Sequence, residues 1–163
     1  PLADAEGLCA ALAERLRADL RPGTALIGIH TGGVWVAERL HAALGLETPL
    51  GRLDVSFYRD DFGRSGLPPQ LKSSDIPFDV EDRPIVIVDD VLYTGRTIRA
   101  AMNEIFDSGR PARIALAVLV DRGGRELPVC PRWAALTMQI EASRNLQLER
   151  GETGILSLRL IDA

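Results

Sequence analysis

Apolar residues recur every three or four positions near the start of the chain, at Leu8, Leu12, Leu16 and Leu20, with Glu14, Arg15 and Arg17 between them. That spacing lines one face of an amphipathic helix, which Pro22-Gly23 ends. Residues 25–29, ALIGI, predict a short buried strand, Thr31-Gly32-Gly33 a turn, and residues 34–44 a second helix before Gly45. Residues 49–58 alternate, with Leu53, Val55 and Phe57 against Arg52, Asp54 and Ser56, as a strand with one wetter face does.

Residues 59–78 carry charges, Gly63, Gly66, Pro68, Pro69 and Pro77 without periodicity. An irregular stretch of that length in a compact domain is typically a functional lid or disordered. A strand over 85–88 follows, then a polar turn, then a helix whose Ile98, Ala101, Met102 and Ile105 share a face until Gly109. Residues 114–120 are fully apolar, the pattern of a central parallel strand. After Asp121-Arg122-Gly123-Gly124, alternation marks strands over 133–140 and 155–160, with a turn at 151–154. This order predicts an α/β fold: a mainly parallel twisted sheet flanked by helices, a flexible lid loop and a β-rich C-terminal segment.

Composition narrows the chemistry. With 163 residues the chain is expected to form one domain, 1–163. A net charge of −4 does not call for a nucleic-acid partner. Lys72 is the sole lysine, so a lysine nucleophile or base has one candidate. Cys9 and Cys130 are too few for a disulfide framework or a zinc site. No apolar stretch approaches the roughly 20 residues that span a bilayer, and no signal-peptide pattern opens the chain, so a cytoplasmic location without membrane contact is expected.

The most informative string is residues 86–97, VIVDDVLYTGRT. Asp89 and Asp90 sit side by side where an apolar strand ends, although neighbouring carboxylates repel and burying either without a partner is costly. The turn after them offers backbone N–H groups, the hydroxyls of Thr94 and Thr97, and a helix N-terminus, which suits a phosphate dianion. It lacks the lysine of a P-loop, which excludes that class of nucleotidase. A carboxylate pair one strand-end from a phosphate cradle can accept hydrogen bonds from the 2- and 3-hydroxyls of a ribose whose 5-phosphate fills the turn. Taken as isolated residues, Asp89 capping the turn and Asp90 pairing with Arg96 or Arg99 would also account for them. A receiver domain sets its acids after the first strand and needs a lysine after a late one, which Lys72 does not supply.

VIVDDVLYTGRT resembles the signature of type I phosphoribosyltransferases, which use 5-phosphoribosyl-1-pyrophosphate (PRPP). Its Leu-Tyr-Thr-Gly-Arg-Thr form is most similar to the pyrimidine-operon regulator and uracil phosphoribosyltransferase family. LDVSFYRDD (53–61), SSDIPFDVED (73–82), RAAMNEIFDSGRP (99–111) and LAVLVDRGGRELP (116–128) resemble the family's segments in the same order, over roughly residues 26–128.

By this resemblance, Asp89 and Asp90 bind the ribose hydroxyls, Tyr93, Thr94, Gly95, Arg96 and Thr97 hold the 5-phosphate, and Val91 and Leu92 count with them as PRPP-binding. Thr31, Gly32 and Gly33 fall where the family places its pyrophosphate loop, usually Thr-Arg-Gly, so Gly32 removes a cation there. Arg59, Arg64 and Lys72 are lid candidates, Arg59 being counted with Asp89 and Asp90 as catalytic. Asp121 and Arg122 resemble the base-recognition segment, with Gly124 where His is usual.

The implied reaction joins uracil N1 to C1 of PRPP, giving UMP and pyrophosphate. Mg²⁺ is the implied cofactor, held mainly by substrate oxygens with no direct protein ligand assigned. Positioning and electrostatics carry such a reaction without a covalent intermediate. A homodimer or higher homo-oligomer is implied as well, with UMP or UTP as a ligand. So is regulation of pyrimidine-operon expression through leader RNA, to which Arg15, Arg17, Arg21, Arg122, Arg125 and Arg132 offer basic groups. The alternatives are an RNA-binding attenuator with little catalysis and a phosphoribosyltransferase for another base, purine or orotate.

Overall fold

The computed structural model describes residues 2–56 and 74–163. Along the chain run α1 (Ala5–Arg17), β1 (Ala25–Ile29), α2 (Gly32–Leu44), β2 (Gly51–Leu53), β3 (Pro84–Leu92), α3 (Arg96–Ser108), β4 (Arg113–Asp121), β5 (Trp133–Thr137), β6 (Arg144–Arg150) and β7 (Leu156–Asp162). The first five strands make one sheet in the order β2-β1-β3-β4-β5, with every pairing parallel. Strands β6 and β7 form a separate antiparallel pair.

Side chains alternate across the sheet and build two cores. Leu26, Val86, Val88, Ala117 and Leu119 face α1, α2 and the β6–β7 hairpin, which adds Leu146, Leu148 and Leu156. Ile27, Ile29, Ile85, Ile87 and Val118 face the other way, onto Ile98, Ala101 and Ile105 of α3. Every residue of β1 is buried, as expected of a parallel strand covered on both faces.

The hairpin is tied down by one ion pair. Arg39 of α2 meets Glu6 of α1 at 3.0 Å and donates to the Gly154 carbonyl at 2.7 Å, while Glu6 Oε1 accepts the Leu156 N–H at 2.8 Å. Those bonds, the Arg39 hydrogen bond first, hold the Glu6 carboxyl below the usual 4.5.

Four sequence expectations need correction. The strand placed at 49–58 is three residues long within the described part, because Asp54 turns its carboxylate back to accept the Ser56 N–H at 3.0 Å and Oγ–H at 2.6 Å. The first helix stops at Arg17, before Leu20, and Asp19 beyond it reaches Arg132 at 2.6 Å. The strand placed at 85–88 runs on through both acids to Leu92, since β4 continues to pair with it as far as Leu92↔Asp121. The first strand assigned to the β-rich tail is instead the fifth parallel strand of the main sheet, and the partner of β7 is Arg144–Arg150.

Candidate active site

Strands β1 and β3 lie side by side, and the chain leaves their C-terminal ends toward opposite faces, by α2 and by α3. Such a divergence opens a crevice at the strand ends. Two cavities occupy it. One, of about 280 Å³, is lined by His30, Thr31, Gly32, Asp54, Ser56, Asp89, Asp90 and Thr97. The other, of about 360 Å³, is lined by Asp89, Leu92, Tyr93, Thr94, Gly95, Arg96, Thr97 and Glu126. Asp89, Val91 and Thr97 line both, so Asp89 stands where the cavities meet, while Asp90 lines the first alone.

Each acid accepts the N–H of the next residue: Asp90 N donates to Asp89 Oδ1, and Val91 N to Asp90 Oδ1, both at 2.9 Å. These bonds offset part of the cost of placing two carboxylates together. Asp89 is buried and Asp90 half-buried. Arg96, one of the partners considered for Asp90, has Glu126 at 3.5 Å.

Across the first cavity, Thr31 precedes α2 and the His30–Thr31 peptide is cis. Gly32 and Gly33 form the first turn of α2, where a separate loop was expected, so their backbone is helical. The Asp90 carboxylate rests against Gly32 in the space a Cβ would need. At Gly33 a Cβ would come within 2.7 Å of the Val88 carbonyl. Backbone contact thus demands glycine at 33, whereas at 32 the neighbour is a side chain, and an arginine there would have to displace Asp90.

Beside the second cavity, the carbonyls of Leu92, Tyr93, Thr94 and Gly95 all accept hydrogen bonds from within the protein. The Leu92 carbonyl accepts Arg122 N–H at 3.0 Å, Tyr93 accepts Arg125 Nη1 at 2.7 Å, and Thr94 accepts Glu126 and Leu127 N–H at 2.9 and 3.1 Å. Gly95, the α3 N-cap with φ 94°, accepts Arg99 N–H at 3.0 Å. The Arg96 N–H reaches the Thr94 hydroxyl at 3.2 Å. A helix N-terminus with its preceding carbonyls held elsewhere is suited to an anion.

The base-recognition candidates are placed differently from the phosphate turn. Asp121 Oδ1 accepts Gly123 N–H at 3.0 Å, and Oδ2 pairs with Arg125 at 2.7 Å. Arg122 is 3% exposed, bonds Asn145 Oδ1 and the carbonyls of Ile140 and Glu141, and lies 3.8 Å over the Tyr93 ring. Neither residue lines the two cavities. The Tyr93 ring in turn occupies the space of a Cβ on Gly124, whose φ is 79°.

Arg59, Arg64 and Lys72 lie outside the described residues. Sequence reading missed Asp54, Ser56 and Glu126 as cavity walls and the clamp made by Arg125. Only the i, i+4 spacing of Asp121 and Arg125 hinted at that clamp. Burial pushes the Glu104 carboxyl of α3 above its ordinary value, against a Ser74 hydrogen bond that lowers it. Among the described residues no three His, Cys, Asp or Glu side chains converge as a metal site. Asp89 and Asp90 offer hard oxygen donors, enough for a partial cation shell completed by a ligand.

The family model of the phosphoribosyl transferase domain matches residues 3–140. The chain is 58% identical to the bifunctional protein PyrR of Nitrosococcus oceani over 124 residues, 75% of this chain and 70% of the relative. It is 50% identical to that of Pseudomonas paraeruginosa over 147 residues, 85% of this chain and 86% of the relative. A solved purine phosphoribosyltransferase from Pyrococcus horikoshii superimposes with a TM-score of 0.62 at 31% identity, covering 82% of each chain. The crevice between β1 and β3 is thus set in a known framework: this chain belongs to the phosphoribosyl transferase domain family and, within it, to the relatives named bifunctional protein PyrR.

Proposed function

We propose that the chain transfers the phosphoribosyl group of PRPP to uracil, forming UMP and pyrophosphate, and that it also regulates pyrimidine-operon expression in response to uridine nucleotides. The observation that carries the enzymatic reading is the pair of adjoining cavities with Asp89 on their common wall. The turn Tyr93–Thr97 takes the 5-phosphate, Asp89 and Asp90 accept from the ribose hydroxyls, and Thr31, Gly32 and Gly33 face the pyrophosphate. With no side-chain cation at position 32, the backbone at the start of α2 carries more of the pyrophosphate contact. Asp121 and Arg122 shape the base side through their backbone and through Tyr93, since their charged ends are already engaged.

Asp89 and Asp90, together with substrate oxygens, would hold a Mg²⁺ ion, which would neutralise charge on the pyrophosphate leaving group. Within the crevice the protein aligns C1 with the acceptor nitrogen and stabilises the developing charges. The reading also makes the chain a cytoplasmic homo-oligomer; no helix of the described residues is long and apolar enough to cross a membrane.

The regulatory half is supported by kinship with proteins named bifunctional. Of the arginines offered for RNA, Arg122 is buried, and Arg125 and Arg132 are paired with Asp121 and Asp19. The identity to a purine enzyme favours transfer to a purine as a second reading. Incubation with PRPP, Mg²⁺ and each of uracil, orotate, hypoxanthine and xanthine separates the two. Nucleotide from uracil is expected, and none from uracil with product from hypoxanthine selects the second reading. Filter binding to pyrimidine leader RNA with and without UMP tests the regulator.

A further inference from the structure

We propose that Arg125 is a positioning residue for the 5-phosphate, acting by holding the carbonyl side of the turn Tyr93–Thr97 away from the cavity. The proposal rests on the phosphoribosyl reading above. One guanidinium makes three bonds of 2.7 Å: Nη1 to the Tyr93 carbonyl, Nη2 to Asp121 Oδ2, and Nε to the Val129 carbonyl. It therefore ties the turn after β3, 32 positions away, to its own segment between the end of β4 and the chain leading to β5, through partners four residues to either side. Its side chain is 23% exposed and that of Asp121 13%, so the pair is largely sheltered from water.

The direction of these bonds carries the inference. A carbonyl oxygen facing a phosphate would repel it, whereas an amide N–H attracts it. The 122–127 segment supplies a donor to each of three successive carbonyls, at Leu92, Tyr93 and Thr94. Two of those carbonyls are met by backbone N–H groups, which any residue would provide. The Tyr93 carbonyl alone depends on a side chain, and charge-assisted bonds of this kind exceed neutral ones in strength. Asp121 then orients the guanidinium, which gives the carboxylate a task other than touching the base. Arg125 lines neither cavity, so its effect on a ligand passes through the turn.

The test compares the full chain with Arg125→Lys and Arg125→Gln, titrating ribose 5-phosphate and inorganic pyrophosphate separately. A lysine keeps the pairing with Asp121 but cannot make all three bonds, and glutamine loses the charge. Expected is an about tenfold weaker binding of ribose 5-phosphate in Arg125→Lys, and a larger loss in Arg125→Gln, with pyrophosphate binding changed less than about twofold. The KM for PRPP should rise in parallel while the KM for uracil stays constant. Equal weakening of both ligands, or of neither, in a variant that still melts cooperatively overturns the proposal. If neither variant melts cooperatively, Arg125 serves folding alone and the proposal also falls. Failure of the unsubstituted chain to bind ribose 5-phosphate overturns the phosphoribosyl reading itself, and this proposal with it.

Discussion

The carboxylate of Asp90, in β3, lies against the backbone of Gly32, in the first turn of α2, across the crevice between β1 and β3. Position 32 is therefore not simply a place where a cation has been lost. Any side chain there must first move the Asp90 carboxylate. Gly32→Ala is expected to raise the KM for PRPP by about tenfold, the equivalent of 1.4 kcal/mol, and Gly32→Arg to do no better despite its charge. Steady-state kinetics at varied PRPP check both. A gain of affinity in Gly32→Arg would show that Asp90 yields freely.

Asp90→Asn keeps an acceptor for the Val91 N–H while removing the charge. The rate should fall by about a hundredfold or more, as for loss of a charged contact to a reacting ligand, with the melting temperature nearly unchanged. A fall mainly in melting temperature would make the acid structural.

Gly124 has a φ of 79°, and the Tyr93 ring fills the space beside it. Restoring the histidine usual in the family combines an unfavourable backbone region, about 1–2 kcal/mol for a residue with a Cβ, with displacement of a ring that Arg122 covers. Gly124→His should lower the melting temperature and weaken PRPP binding together. Gly124→Ala, with a smaller collision, should fall between.

The Glu6–Arg39 tie gives a pH dependence of known sign. Folding lowers the Glu6 carboxyl below its ordinary 4.5, so the unfolded chain binds the proton more readily. The stabilisation is complete above that ordinary value and is lost as pH falls through the lower folded value. Acid unfolding followed by circular dichroism should show this step for the chain and not for Glu6→Gln. Because the pair is about one third exposed, salt should shrink the effect.

The parts of the fold governed by local periodicity were readable in the sequence. The apolar stripe of α3 and the unbroken run of β4 correspond to the elements observed. Strand ends were not readable, because an acid breaks an apolar run without breaking a hydrogen-bond ladder, as Asp89 shows by pairing with Val118. Residues 49–58 misled in the other direction, since alternation persists past Leu53 while Asp54 folds back on Ser56. Strand β6 had a visible signal, Leu146 and Leu148 inward with Gln147 outward, that its many charges masked.

The candidate site divides in the same manner. The position of the acid pair followed from one string of residues. The clamp of Arg125 on Tyr93 spans 32 positions, and sequence alone does not say which carbonyl a guanidinium will find.

The ladder between β1 and β3 stops at Gly28↔Val88, whereas that between β3 and β4 continues to Leu92↔Asp121. The crevice thus has unequally bonded jaws. One, made of β3, β4 and the segment bonded across their tips, is stitched to its edge. The other, the tip of β1 and the first turn of α2, parts from its neighbour several residues earlier. On the reading proposed above, the ribose phosphate meets the more fully bonded jaw and the pyrophosphate the other.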